Sequence, residues 1–464
     1  MKADAPPDWL RALAQEFRAR GWALYAVGGW VRDRLLGLPS HDVDLCGPAP
    51  PGLLIEGLRD HPWIRATPAA PTLGTLILRV DIDGVRRQAE YTAFRSESYR
   101  AGGRHRPETV TLGVPLEGDA LRRDFTVNAL YLDILSGAII DPLSGIPDIS
   151  GRTLRTTREP EAVFDDDGLR LMRLARLAGE LHFGVDPGTM RAARDRAGRL
   201  DDIAPERIAD ELTRILLADT RYPSSSTGDD PVGRALLTLD AIGALGRVLP
   251  EVAACRGLLI GGMDGLSYSV GCASRAPAVL HLRLAALLHD IGRPGMPEAA
   301  ILEHGAIGAQ RVSAALRRLR FSREIVERTA LLVRHHTFDP NGRARPDAVR
   351  WFFARMGYPF VRDLIALRRA IEPELRAADR WDAILAAMIR DGAPDTPDAL
   401  ALTGRDIAGL LGEPPSARVG RLKRALWRYA VEHPRDNTME GLTRAARQLL
   451  DYPARWDYLG RRED

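Results

Sequence analysis

The stretch from Tyr25 to Leu45, YAVGGWVRDRLLGLPSHDVDL, limits what this chain can become more than any other part of it. Trp22 to Val27 is an apolar run of strand type. Gly28-Gly29 breaks it where a backbone must turn tightly or let another group approach. Trp30 to Leu36 carries apolar residues at helical spacing and Gly37 stands where a helix stops. The spacing therefore predicts a short helix whose free N–H groups lie at the glycine pair, a natural seat for phosphate, with Arg32 adding charge one turn in. His41 to Leu45 alternates, so on a strand Asp42 and Asp44 share one face with their carboxylates roughly 6 to 7 Å apart. Two such acids suit Mg²⁺, and paired divalent ions activate a hydroxyl and stabilise the leaving oxygen of a phosphoryl transfer. Gly-Gly before a helix is a common turn and Asp-x-Asp occurs in ordinary acidic loops. Joined in this order they point to nucleotidyl transfer.

At 464 residues the chain is too long for one core and implies several domains. Its 65 basic and 62 acidic residues nearly cancel, so any nucleic-acid surface must be a local patch. Lys2 and Lys423 are the only lysines, a bias that makes arginine counts weak support for phosphate binding. Cys46, Cys255 and Cys272 are scattered without C-x-x-C spacing, which argues against a disulfide framework or a cysteine zinc site and fits a reducing cytoplasm. The N-terminus turns amphipathic at once and no apolar run approaches about 18 residues, so neither signal peptide nor membrane span is expected.

Asp8 to Arg20 places Trp9, Leu10, Leu13 and Phe17 on one helical stripe. Thr75 to Val80 and Val85 to Tyr91 flank Asp83-Gly84 as a hairpin, and Glu90 is either a third metal carboxylate or a plain strand residue. Phe94 to Pro107, with Arg95, Glu97, Tyr99 and Arg106, is polar and Gly-rich and reads as a loop. RRDFTVNAL, Arg122 to Leu130, reads as a helix start with Asp124 as its cap. Glu161 to Leu181 reads as one long helix with Asp165, Asp166 and Asp167 in its first turn, where negative charge suits the dipole. Asp167, Arg170 and Arg173 recur every three residues on one face, either as a salt-bridge ladder or as a binding surface. Cytosine and adenine both present an amino donor beside a ring-nitrogen acceptor, whereas uracil and guanine present a carbonyl beside an N–H. An Asp acceptor next to an Arg donor thus complements C and A only.

The order of strand, Gly-Gly, x-x-Arg-Asp, helix and Asp-x-Asp, followed by RRDFTVNA, DDGLR, ERIADE and LLHDIG, resembles the bacterial-type (class II) tRNA nucleotidyltransferase and poly(A) polymerase family. The resemblance runs from about Trp22 to Asn437. It implies an α+β fold: a small polymerase-beta-like nucleotidyltransferase α/β head followed by an all-α neck, HD-like body and tail. The expected boundaries are head 1–150, neck 151–221, body 222–380 and an RNA-binding tail 381–464 with Arg421, Lys423, Arg424 and Arg428. By the same resemblance Asp42 and Asp44 are the catalytic acids that hold Mg²⁺, and Gly28, Gly29, Arg32 and Arg123 bind triphosphate. Asp124 and Asn128 hold the ribose, Asp167 and Arg170 select the base, and Arg173 and Arg176 continue that surface. Asp166 stands where the family motif E-D-x-x-R has Glu, and Gly168 replaces a usual Pro. Glu206-Arg207 and Glu211 match an E-R-x-x-x-E motif that buttresses the template helix, an Arg bridged by two acids.

His289-Asp290 resembles the core of an HD phosphohydrolase domain, with His304 and His335-His336 following. Tyr268 and Ile371 stand where an upstream His and a downstream Asp are required, so the metal set reads as incomplete and any site as weak. The implied activity is addition of C and A to tRNA 3′ ends, with tRNA, ATP and CTP as partners, no membrane and no protein partner, in the cytoplasm. An A-adding enzyme or poly(A) polymerase of the same family is the alternative. An HD phosphohydrolase and a non-catalytic RNA-binding protein are the rivals from other classes.

Overall fold

Leu10, Leu13, Ala14 and Phe17 are buried along α1 (Asp8–Ala19), and the Phe17 ring lies 6.0 Å from that of Tyr91 in the sheet beneath. The computed structural model describes residues 5–40, 42–99, 107–222, 229–297, 303–374 and 376–451. After α1 come β1 (Tyr25–Val27), α2 (Gly29–Leu36), β2 (Asp44–Gly47), α3 (Pro51–Gly57), β3 (Ile64–Ala70), β4 (Thr75–Ile82) and β5 (Val85–Ala93). Then follow β6 (Arg95–Ser98), β7 (Thr109–Leu112), α4 (Leu116–Leu121), β8 (Tyr131–Asp133) and β9 (Ile139–Ile140). One 7-stranded sheet has the order β3-β4-β5-β2-β1-β8-β9. Only β2 and β5 pair in parallel, which sets Asp44 beside Glu90, while the antiparallel β1–β2 register sets Val27 opposite Asp44. Asp83 (φ 54°) and Gly84 (φ 73°) close the β4–β5 hairpin, as their residue types dictate.

Several local readings change. The first strand starts only at Tyr25, leaving Trp22 to Leu24 outside it. Arg95 to Ser98 pairs with Thr109 to Leu112, so the expected loop begins as a hairpin; Arg106 lies outside the described residues. No α-helix follows Asp124. Thr126–Asn128 is a single 3₁₀ turn, and the Asp124 carboxylate accepts from the Phe125 N–H and the Asn128 amide.

Beyond the sheet the chain turns helical with α5 (Gly145–Ser150), α6 (Pro160–Asp166), α7 (Leu169–Leu181), α8 (Pro187–Asp195) and α9 (Pro205–Leu216). They are followed by α10 (Pro231–Ala241), α11 (Leu245–Val248) and α12 (Pro250–Ala253). The single long helix is therefore two, broken where Asp167 turns extended (φ −148°, ψ 104°). Asp165 to Asp167 sit at the unfavourable C-terminal end of α6 instead of a first turn. Arginines offset this: Arg196 and Arg199 pair with Asp165, Arg158 with Asp166, and Arg207 with Asp167. Gly168 at the break is sterically required, because a Cβ there would lie 2.6 Å from the Arg199 carbonyl oxygen and 2.7 Å from its carbon. Gly168→Ala is expected to cost about 1–3 kcal/mol as backbone is forced apart, read as a drop of several degrees in thermal midpoint.

The chain divides into two compact units, Met1–Ala254 with Arg317–Phe321, and Cys255–Leu316 with Ser322–Asp464. The second holds α13 (Gly265–Arg275), α14 (Leu280–Leu288), most of α15 (His304–Arg318), α16 (Arg323–His335), α17 (Pro346–Met356), α18 (Tyr358–Ile371) and α19 (Ala377–Arg390). It ends with α20 (Gly404–Leu411), α21 (Ala417–Glu432) and α22 (Met439–Leu450). Trp381 is fully buried there against Phe338 and Phe353. On α21 the expected basic face is partly engaged within the unit: Lys423 pairs with Asp398 at 2.7 Å, and the Arg428 guanidinium lies 5.5 Å from the Trp351 ring centre. Among the described residues no helix is long and apolar enough to cross a membrane.

Candidate active site

Gly28 ends β1 and has φ 78°, a conformation that a side chain disfavours, and it caps α2. Because Val27 pairs with Asp44, the turn lands against the acids. A Cβ on Gly28 would lie 3.7 Å from Asp44 Oδ2 and 3.8 Å from Arg123 Nη1. Asp42 and Asp44 are exposed on either side of buried Val43; Asp44 opens β2 and Asp42 precedes it, outside the strand. These elements surround a cleft of about 880 Å³. Gly28, Gly29, Arg32, Asp42, Asp44, Arg123, Asp124, Asn128, Asp167, Arg170, Arg173 and Arg176 all line it. Its nine arginines against five acids make it a seat for a polyanion.

Most charges in the cleft are already paired. Arg123 donates to Asp119 (2.9 Å) and to the Tyr131 hydroxyl (3.2 Å), leaving Nη1 toward Gly28. Burial pushes the Asp119 carboxyl up, but Arg123 and Arg122 overcome this and hold it at about 2. Arg173 donates to Asp124 (2.7 Å), and with Arg170 it keeps that buried carboxyl well below the usual range against the effect of burial. Arg32 is 2% exposed; it donates to Asp33 (2.6 Å), to Asn128 Oδ1 (2.6 Å) and to the Tyr222 hydroxyl (2.9 Å). Tyr222 in turn donates to Asp33 Oδ2 (2.9 Å).

Asp167, Arg170 and Arg173 form no ladder among themselves. Asp167 accepts from Arg207 (2.6 Å) and from the Leu169 N–H (3.1 Å). Arg170 is buried and donates to the carbonyls of Val163 (3.0 Å) and Arg122 (2.7 Å), with Asp166 at 3.6 Å. Arg207 is not the arginine bridged by two acids. That arginine is Arg176, which pairs with Glu211 (2.8 Å) and Glu180 (2.9 Å), so from α9 Glu211 holds α7 and Arg207 holds Asp167 at the break before it.

Asp42 and Asp44 differ from all of these. Neither has an ion pair or side-chain hydrogen bond among the described residues. Although Asp44 opens to the cleft, partial desolvation of its carboxyl and the neighbouring Asp42 push it up, while Arg123 pulls it down. Burial and then Asp44 likewise raise Glu90. An unneutralised acid pair within an otherwise paired cleft fits a divalent cation.

Sequence reasoning missed Asp119, Glu180, Asp33, Arg221 and Tyr222. Asp119 had a signal, since it stands three and four residues before Arg122 and Arg123 at the end of α4. Tyr222 had none; it enters the site only through the tertiary fold. In the second unit the expected gap at Tyr268 and Ile371 stands, with the Tyr268 hydroxyl donating to the Ile371 carbonyl at 2.8 Å. Of the His335-His336 pair that the spacing offered, His336 is the one that joins Asp290 and His304.

Family models match at three places: a poly(A) polymerase head domain over residues 24–155, a probable RNA and SrmB-binding site of polymerase A over 182–224, and an HD domain over 266–387. An A-adding tRNA nucleotidyltransferase of Deinococcus radiodurans is 32% identical, covering 86% of this chain and 89% of its own length. A CC-adding tRNA nucleotidyltransferase of Thermus thermophilus is 31% identical over 88% and 89%. A multifunctional CCA protein of Chromobacterium violaceum is 32% identical over 78% and 83%. Among solved structures, the Bacillus stearothermophilus CCA-adding enzyme in complex with CTP has a TM-score of 0.72 at 24% identity, covering 97% of this chain and 99% of that one. With this likeness along nearly its whole length, the chain belongs to the tRNA nucleotidyltransferase family whose members join a poly(A) polymerase head to an HD domain.

Proposed function

We propose that this nucleotidyltransferase adds C and A to the 3′ end of tRNA, the RNA 3′-hydroxyl attacking the α-phosphate of CTP or ATP. The observation that carries the reading is the meeting of the Gly28 turn, the unpaired Asp42 and Asp44, and Arg123 in the cleft that also holds Asp167 and Arg170. Enzymes of this family use divalent metal ions. Asp42 and Asp44 hold Mg²⁺, which when bound supplies Lewis-acid activation of the hydroxyl and neutralises charge on the triphosphate.

The chain's own residues bind and select. The N–H groups opening α2 and the Arg123 guanidinium receive triphosphate oxygens. Asp124 and Asn128 face the sugar; Arg32 fixes the Asn128 amide, because a guanidinium only donates and so must meet Oδ1, turning Nδ2 to Asp124. Asp167 keeps lone pairs beyond those given to Arg207 and Leu169, and Arg170 keeps N–H groups beyond the two engaged by carbonyls. Acceptor and donor together read the shared edge of C and A.

The test is incubation with tRNAs ending before the first C, after one C, and after both, with CTP and ATP incorporation measured on each. Addition of C to the first two and A to the third is expected; A alone on the third returns the A-adding reading. Arg170→Ala is expected to lose discrimination against UTP and GTP by about 10-fold or more while nucleotide affinity falls less, since triphosphate contacts remain. Rejection of UTP and GTP equal to the parent's would remove Arg170 from base selection.

A further inference from the structure

The sheet order β3-β4-β5-β2-β1 puts two different surfaces on either side of the acid that opens β2. Toward β1 lie Gly28 and Arg123, the groups assigned above to the triphosphate. Toward β5 the same face of the sheet continues through register partners: Asp44 stands beside Glu90, Glu90 beside Ile77, and Ile77 beside Thr67. Two residues further along the strands comes a row of Gln88, Arg79 and Arg65, and two beyond that a row with Arg86 and Asp81. At about 3.4 Å per residue these rows lie about 7 Å and about 14 Å from the Glu90 row. All five side chains are exposed, whereas α1 covers the opposite face, where Phe17 meets Tyr91.

The arrangement of these arginines says more than their number. Arg65 and Arg79 are direct cross-strand partners, a like-charge pair that destabilises a sheet and that an anion laid across both would relieve. Neither has an ion pair among the described residues. Arg65 turns back on the carbonyls of His61 and Ile64, and Arg79 has no side-chain hydrogen bond there. Asp81, the acid of the next row, is taken by Arg86 at 3.2 Å. With Trp63 these residues line a hollow of about 520 Å³.

The chemistry of transfer decides what crosses this face. In phosphoryl transfer the attacking and leaving oxygens stand roughly in line through the phosphorus. With pyrophosphate leaving toward Gly28, Gly29 and Arg123 on the β1 side, the attacking hydroxyl arrives from the β5 side. We propose that the open face of β3, β4 and β5 around Arg65 and Arg79 receives the phosphodiester backbone of the RNA strand whose 3′-hydroxyl reacts, a reading that rests on the transfer assigned above to Asp42 and Asp44. The strand trails over the arginine rows, and their guanidinium groups meet its phosphate oxygens, which fixes its path without reading its bases. Continuity with the reacting acids favours RNA here over an acidic protein segment.

The test uses the full chain and a tRNA ending before the first C, with binding followed by fluorescence anisotropy and CTP incorporation measured beside it. The double variant Arg65→Gln with Arg79→Gln is expected to weaken tRNA binding and raise the KM for tRNA by about 10-fold, to move the KM for CTP by less than about 2-fold, and to lower the slope of log affinity against log salt by about 1 to 2. Arg79→Glu should weaken tRNA binding at least as much yet leave the thermal midpoint no lower than the parent's, because the new acid faces Arg65. Asp81→Asn should act in the opposite direction and tighten tRNA binding, since it frees Arg86. Unchanged tRNA affinity in both arginine variants would overturn the surface and leave this face to solvent or to an acidic protein. A parent that binds this tRNA but incorporates no CTP would fail the transfer reading instead, and the anisotropy titration would still decide the surface by itself.

Discussion

Asp42→Ala is expected to lower CTP and ATP incorporation by on the order of 100-fold or more while the thermal midpoint stays within about 2 °C of the parent's. Two features separate the effects. Asp42 is exposed and has no ion pair or side-chain hydrogen bond among the described residues, so truncation removes no packing and strands no partner. Its only evident electrostatic role is toward the cleft, where it and Asp44 are acids with no salt bridge among the described residues. Chain elongation of a tRNA substrate at saturating nucleotide, read beside a melting curve, checks both halves. Full activity in the variant would remove Asp42 from the metal site. A large fall in midpoint would instead mean that the acid is structural.

The largest stability effect should come from Arg176→Ala. Its guanidinium bridges Glu180 and Glu211, and the three side chains are 8%, 3% and 4% exposed. Removing the arginine leaves buried Glu180 without its ion partner and Glu211 with only the longer contact to exposed Arg214 at 3.4 Å, and breaking a buried pair in this way costs about 3–5 kcal/mol. For a unit of this size that is on the order of a 10 °C drop in midpoint. Glu211→Ala should cost less, because Arg176 keeps Glu180 and the loss is shared. Scanning fluorimetry of both variants tests the ordering. If Arg176→Ala melts like the parent, the triad does not hold α7 in place.

The sequence by itself determined what depends on neighbours along the chain. Gly28-Gly29, the helix to Leu36 and the αL stop at Gly37 lie where their residue types require, and Asp83-Gly84 turns its hairpin. The nucleotidyltransferase fold and family were legible for the same reason, since the carrying motifs are short and local. Tertiary structure decided the rest. Helical periodicity runs straight through Asp167, and only the fold shows the break there, with the Arg199 backbone so close to Gly168 that a side chain has no room. Pairing among arginines was equally hidden. In a chain whose basic residues are nearly all Arg, spacing cannot say that Arg32 is buried on Asp33 and Tyr222, or that Arg176, not Arg207, is the bridged one. His336 shows a related limit: spacing offered His335 and His336 alike, and only the packing of α14, α15 and α16 turned His336 toward Asp290 and His304.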